Sequence, residues 1–147
     1  PCVHFVGEQS YIYSAVPADS ALLALQSVQR TFWKKRRLPA PQFVETGFDN
    51  AELHVTPHVL AFSGRRIAMP VGWLPKQHNS KPLPIDALIV TADFRGTLTH
   101  ALAFYRPRLV VLHSSLSQRR AELFAREAEA AGIEAFDVAH RGAFILR

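Results

Sequence analysis

A chain of 147 residues fits one domain better than two, and 48% hydrophobic with 20% charged residues excludes a disordered polypeptide. A single cysteine, Cys2, excludes an internal disulfide and a cysteine-based zinc site, and no run approaches the ~18 apolar residues that a membrane-crossing helix needs. The formal net charge of +5 points to an anionic partner such as nucleic acid or a lipid surface, or to nothing more than a basic protein kept soluble by its charge.

The chain opens on Pro1, without a secretory signal pattern. The first six residues already read as a strand, so the expectation is a soluble piece excised from a longer protein. Residues 3–6 and 11–15 flank Gly7-Glu8-Gln9, which predicts a β-hairpin. Pro17, Asp19 and Ser20 supply start signals for a helix. From Ala21 the apolar residues Leu22, Leu25, Val28 and Phe32 recur at helical spacing. That helix ends in Lys34, Lys35, Arg36 and Arg37, where basic side chains suit the negative helix end and Pro39 and Pro41 stop it. Short strands are expected over residues 42–44 and 51–55. A second hairpin is expected from residues 59–62 and 67–69 around Ser63-Gly64-Arg65-Arg66. Residues 70–84, with Pro70, Pro75, Pro82, Pro84 and Gly72, read as a surface loop.

The second half has a clearer pattern. Residues 87–91 (ALIVT) and 109–112 read as strands buried on both faces. Helices are expected over residues 97–105 and 118–131, the latter capped by Ser117 and closed by Gly132. Residues 135–138 and 143–146 complete the pattern as strands. The order β-α-β-α-β-β predicts parallel neighbours joined by helical crossovers.

In open parallel sheets, ligands gather outside the carboxyl ends of the strands. Two such ends carry Asp93 and Arg95, and His113, Ser114 and Ser115, while Arg119 and Arg120 lie in the first turn of the helix after Ser117. Backbone N–H groups, hydroxyls and guanidinium groups there make a candidate anion site. Positive charge at a helix N-terminus is locally unfavourable, so Arg119 and Arg120 call for another reason; the plain alternative is solvated arginines on a turn. Lys34, Lys35, Arg36 and Arg37 beside Phe32 and Trp33 mix charge with aromatic surface, which suits single-stranded nucleic acid, or else form an ordinary basic helix end. His54 and His58 are too far apart along a strand, about 13 Å, to share one ion. Ser114, Ser115, His113 and Asp93 hold the residue types of a catalytic triad, a matter of geometry rather than adjacency; the structural alternative is that the serines begin a turn and cap the helix.

Several segments, in order, resemble the C-terminal domain of ComEC-type DNA-uptake proteins, membrane channels of natural competence that often end in a metallo-β-lactamase-like domain. The segments are Pro84-Ile-Asp-Ala-Leu-Ile-Val-Thr91, Phe104-Tyr-Arg-Pro-Arg-Leu-Val-Val-Leu112, Ala131-Gly-Ile-Glu-Ala-Phe-Asp-Val138 and Arg141-Gly-Ala-Phe144. The resemblance implies an α/β fold, a metallo-β-lactamase-like half-sandwich of αββα type truncated at its N-terminus, as a single domain over residues 1–147. Active members carry an H-x-H-x-D-H motif that nothing here matches. Where they place an S-H-H-G-S-like turn, this chain reads Ala92-Asp93-Phe94-Arg95-Gly96, and the later histidine loop is replaced by Ser114-Ser-Leu-Ser-Gln-Arg-Arg120. The implied protein is therefore non-catalytic, without metal or cofactor. It would support or contact single-stranded DNA during natural transformation, attached to the membrane-channel portion of its own protein on the periplasmic side of a bacterial inner membrane. The alternatives are a divergent hydrolase or nuclease of that fold, and a small Rossmann-like module binding an anionic ligand, although no G-x-G-x-x-G is present.

Overall fold

The computed structural model describes residues 2–14, 34–38, 40–76 and 80–147. The fold is mixed α/β, and the chain divides into two compact units, residues 1–56 and 57–147.

In the first unit, β1 (Cys2–Val6) and β2 (Ser10–Ser14) form the expected antiparallel hairpin, with Phe5 opposite Tyr11. The short strand β3 (Gln42–Val44) lies parallel to β2 on its other side. A strand paired on both edges can be apolar on both faces, and Ser10 to Tyr13 are all buried. β4 (Leu53–Val55) follows a turn in which the Asn50 side chain accepts the N–H groups of Glu52 and Leu53 at 2.9 and 2.7 Å. Of the helix expected before Pro39, residues 15–33 lie outside the described residues. Residues 34–36 are helical, and Arg37 leaves the helix at φ 51°.

In the second unit, β5 (Val59–Phe62), β6 (Arg65–Ala68), β7 (Leu83–Val90), β8 (Tyr105–Leu112) and β9 (Glu134–Asp137) lie side by side in chain order. β5 and β6 are antiparallel, and every later neighbour is parallel. The second hairpin turns on Ser63-Gly64 alone. Both residues have positive φ, 47° and 77°, the backbone that matches the twist of flanking strands, so Arg65 and Arg66 belong to the strand rather than the turn. The crossovers carry α1 (Leu98–Ala101) and α2 (Gln118–Ala130). α2 begins and ends as its sequence predicts. Ser117 accepts the Arg120 N–H, while Gly132 at φ 71° lets Ile133 and Gly132 donate to the carbonyls of Ala128 and Glu129. Leu88, Val90, Phe94, Leu98, Val110, Leu112 and Phe124 pack into the core of this unit.

Four expectations are corrected. The helix expected to reach residue 105 stops at Ala101, because Tyr105 already pairs with Leu83 and β8 runs eight residues rather than four. The residue before a proline avoids helical backbone, so Arg106 extends the strand towards Pro107. Pro107 is tolerated because β9 flanks β8 only from Leu109 onward. β7 likewise begins at Leu83, four residues earlier than expected. The proline-rich loop is not all surface, since Pro70 and Leu74 are buried. No strand forms over residues 143–146. Asp137 accepts the Ala139 N–H at 2.9 Å and caps a helical turn, α3 (Val138–Arg141), which takes the chain out of the ladder. Phe144 then returns to pack edge-on against Phe136, ring centroids 5.2 Å apart. Among the described residues no helix is long and apolar enough to cross a membrane.

Candidate functional site

The carboxyl ends of β7 and β8 bring Asp93, Arg95, His113, Ser115 and Arg120 into one neighbourhood. His113 N–H donates to the Val90 carbonyl at 2.9 Å, which carries the parallel ladder one residue past β8. Ser115 N–H then donates back to His113 Nδ1 at 3.0 Å. A ring nitrogen that accepts an N–H carries a bare lone pair, so the Ser115 hydroxyl, 2.8 Å away, also donates to it. Ser115 Oγ in turn accepts the Ala92 N–H at 3.0 Å. Burial pushes the His113 pKa down, against an upward pull from the charge of Asp93. At neutral pH the ring is therefore neutral, with its proton on Nε2. This serine–histidine pair fastens the β7 turn to the β8 turn. It lacks the third member that would orient a catalytic histidine, since no carboxylate hydrogen-bonds to Nε2 among the described residues.

Arg120 explains its own unfavourable place at a helix N-terminus. Its Nη1 donates to the Ala92 carbonyl at 3.2 Å and its Nη2 to the Phe94 carbonyl, and its guanidinium lies 5.4 Å from the centre of the Phe124 ring. A planar fork suits two carbonyls at once. The 92–96 turn closes on Phe94, which is fully buried, and Gly96 packs against that ring so closely that a Cβ would lie 2.8 Å from Phe94 Cζ. α1 is held from beneath by Glu127, which accepts from Leu98 N–H and the Thr99 hydroxyl, both at 3.1 Å. A carboxylate at a helix start is favourably placed.

Once these internal bonds are assigned, different residues remain open. The Gly72 N–H donates to the Asp93 carbonyl at 2.8 Å, and the Arg95 N–H to the Gly72 carbonyl at 2.9 Å. Gly72 sits at φ 68°, a backbone that favours glycine. This two-bond clamp presents the neighbouring Trp73 to solvent, 74% exposed. Trp73, Arg95, Gly96, Thr97, Arg120 and Leu123 line a groove of about 370 Å³. The Arg95 guanidinium makes no hydrogen bond or ion pair among the described residues, and Leu123 is 54% exposed. Trp73 is the residue that sequence reasoning missed; the available signal was a lone tryptophan in a proline- and glycine-rich segment.

Ser114 and Arg119 are exposed at the rim. Lys34, Lys35, Arg36 and Arg37 belong to the other unit, where all four are exposed. His54 pairs with Asp49 at 3.0 Å, and His140 with Asp137 at 2.8 Å. Among the described residues, the ends of β7 and β8 offer Asp93 and His113, and the end of β9 offers Asp137, which is bonded to His140 at 2.8 Å. One His113 nitrogen is occupied by Ser115, and Arg95 and Arg120 add positive charge, so these side chains are a poor fit to a metallo-β-lactamase-type zinc centre. Among the described residues no three His, Cys, Asp or Glu side chains are grouped to hold an ion.

The family model described as the ComEC C-terminal domain matches residues 2–147. No curated protein and no solved structure is matched by the chain.

Proposed function

Because the chain belongs to the ComEC C-terminal domain family, we propose that it serves DNA uptake in natural competence by contacting single-stranded DNA without cleaving it. The observation that carries this reading is Trp73, an exposed indole on a backbone clamp beside the open cation of Arg95. An aromatic platform next to positive charge is how proteins hold single strands of any sequence: bases stack on the ring and phosphates meet the cation. Thr97 and Leu123 widen the groove for a sugar and a base edge. The non-catalytic part of the reading is supported by the poor fit of the mouth to a metal centre and by the internal use of His113 and Ser115.

The fold reading that accompanies this is a metallo-β-lactamase-like half-sandwich of αββα type, one domain spanning residues 1–147 of a larger membrane protein, facing the periplasm. The parallel β7-α1-β8-α2-β9 run is compatible with one half of such a sandwich.

The test is binding of a labelled homothymidine strand followed by fluorescence anisotropy. Trp73→Ala is expected to weaken binding about tenfold, within the ~1–3 kcal/mol that one stacked base contributes. Arg95→Ala is expected to reduce the slope of log K against log salt by about 0.7, the release from one phosphate. Unchanged affinity in both variants would overturn the groove as the contact. With zinc or manganese added the labelled strand is expected to stay intact; cleavage abolished by Asp93→Asn would overturn the non-catalytic reading.

A further inference from the structure

At the opposite end of the same parallel strands, we propose that Arg65, Arg66, Arg106 and Arg108 form a second phosphate-binding patch, along which a longer single strand continues from the Trp73 groove. The proposal rests on the groove reading for its ligand and on separate residues for its geometry. Arg65 and Arg66 open β6 directly after the tight Ser63-Gly64 turn. Arg106 and Arg108 lie in the first half of β8, where Arg106 pairs in register with Pro84 of β7. All four are exposed and stand on strands rather than loops. From Arg106 to Leu112 the strand advances ~20 Å, so patch and groove are separated by roughly the length of β8.

Among the described residues, Asp86 is the carboxylate bonded to these cations, and Arg65 Nη2 also donates to the Arg147 backbone oxygen at 3.1 Å. Asp86 of β7 accepts from Arg65 Nη1 at 3.2 Å and from the Arg66 backbone N–H at 2.9 Å. Those bonds, with the charges of Arg65 and Arg108, hold it well ionised. It neutralises one guanidinium and leaves three. The side chains of Arg66, Arg106 and Arg108 make no hydrogen bond or ion pair among the described residues. Arg106 and Arg108 share one face of β8 two residues apart, and Asp86 of β7 offsets only part of the local positive charge, so an anion would relieve the repulsion that is left. The residues are arginines throughout, whose forked donors match phosphate oxygens two at a time. Membrane-surface binders instead tend to set their basic residues on a helix with an apolar face. Here the cations stand on a sheet, and Val71, Trp73 and Leu123 are exposed near the other end of the strands.

The experiment uses the full chain carrying Trp33→Phe, so that Trp73 is the only indole, with homothymidine strands of about 4 and about 16 nucleotides. Indole emission reports the groove, and anisotropy reports total binding. Arg106→Gln with Arg108→Gln is expected to weaken the long strand about tenfold and to lower its salt slope by about 1.4. The short strand should bind and quench Trp73 as before. Arg66→Gln, a single exposed change, is expected to weaken the long strand about threefold, and matching melting curves establish that both variants fold. Unchanged long-strand affinity with normal Trp73 quenching would overturn the patch and leave the groove standing. Absence of quenching in the parent protein would instead overturn the groove. Capture on phosphatidylglycerol vesicles that the double variant loses, with strand affinity unchanged, would overturn the patch in favour of a lipid surface.

Discussion

The two ends of the parallel strands use their charged residues in opposite ways. At the carboxyl ends the chain turns several of its own polar groups to bracing: Arg120 is bonded to two carbonyls, Ser115 to His113 and to Ala92, and Glu127 to the start of α1. At the amino ends Arg66, Arg106 and Arg108 stand around one carboxylate already engaged by Arg65. The position that conventionally marks a binding site in such sheets is thus mostly scaffolding. Among the described residues, what the scaffold leaves open for a partner there includes Trp73 and Arg95, with Asp93, Ser114 and Arg119 exposed beside them. A residue's place on a fold nominates it for function; whether its bonding capacity is already used decides the matter.

That contrast can be broken from the scaffolding side. Arg120→Ala removes two charge-assisted hydrogen bonds and the contact with Phe124, and is expected to cost about 3 kcal/mol in urea unfolding. Arg120→Lys should recover little, because one ammonium cannot reproduce the fork. Were Arg120→Ala neutral, the mouth would not be the braced structure described. Gly96→Ala is expected to cost about 2 kcal/mol by forcing the buried Phe94 ring to shift, and calorimetric melting would read it.

His113 sharpens the contrast through pH. Burial lowers its pKa in the folded chain, so below its ordinary value of about 6.5 the unfolded chain binds more protons. Stability from this group is present above that pH and lost as pH falls through the folded value. His113→Asn keeps an acceptor for the Ser115 N–H and removes the titration. The fall in stability between neutral and mildly acid pH should be shallower in this variant than in the parent, an effect smaller than either substitution above. A fall of equal steepness would mean that His113 does not fasten the turn through a neutral ring. Smallest of all, Trp73→Ala should change stability by less than about 0.5 kcal/mol, as expected of an exposed side chain with no bonded partner among the described residues.

Local signals carried much of the fold. Ser117 and Gly132 bracket α2 through caps that involve only their own neighbours, and the bounds of β3 and β5 follow from short apolar runs between turn residues. The errors fall where distant partners decide. Phe104 and Tyr105 fit a helical face as well as a strand, and only the register with Leu83 settles Tyr105 as strand. The last strand failed for a similar reason, since Asp137 caps a turn before any neighbour can pair residues 143–146. The mouth of the sheet was legible as a place, because crossovers must return there, and Asp93, Arg95, His113, Ser115 and Arg120 do meet. Their roles were not, because the bonds of Arg120 reach back 28 and 26 residues, and Trp73 is displayed by a bridge between Gly72 and the 92–96 turn.

The most direct test of the central claim is the emission of Trp73 in the Trp33→Phe protein, titrated with unlabelled homothymidine. Saturable quenching that fades as salt rises and weakens in Arg95→Ala is the expected result. Strand binding detected by anisotropy while the indole emission stays constant would contradict the account, because the strand would then be held somewhere that Trp73 does not reach.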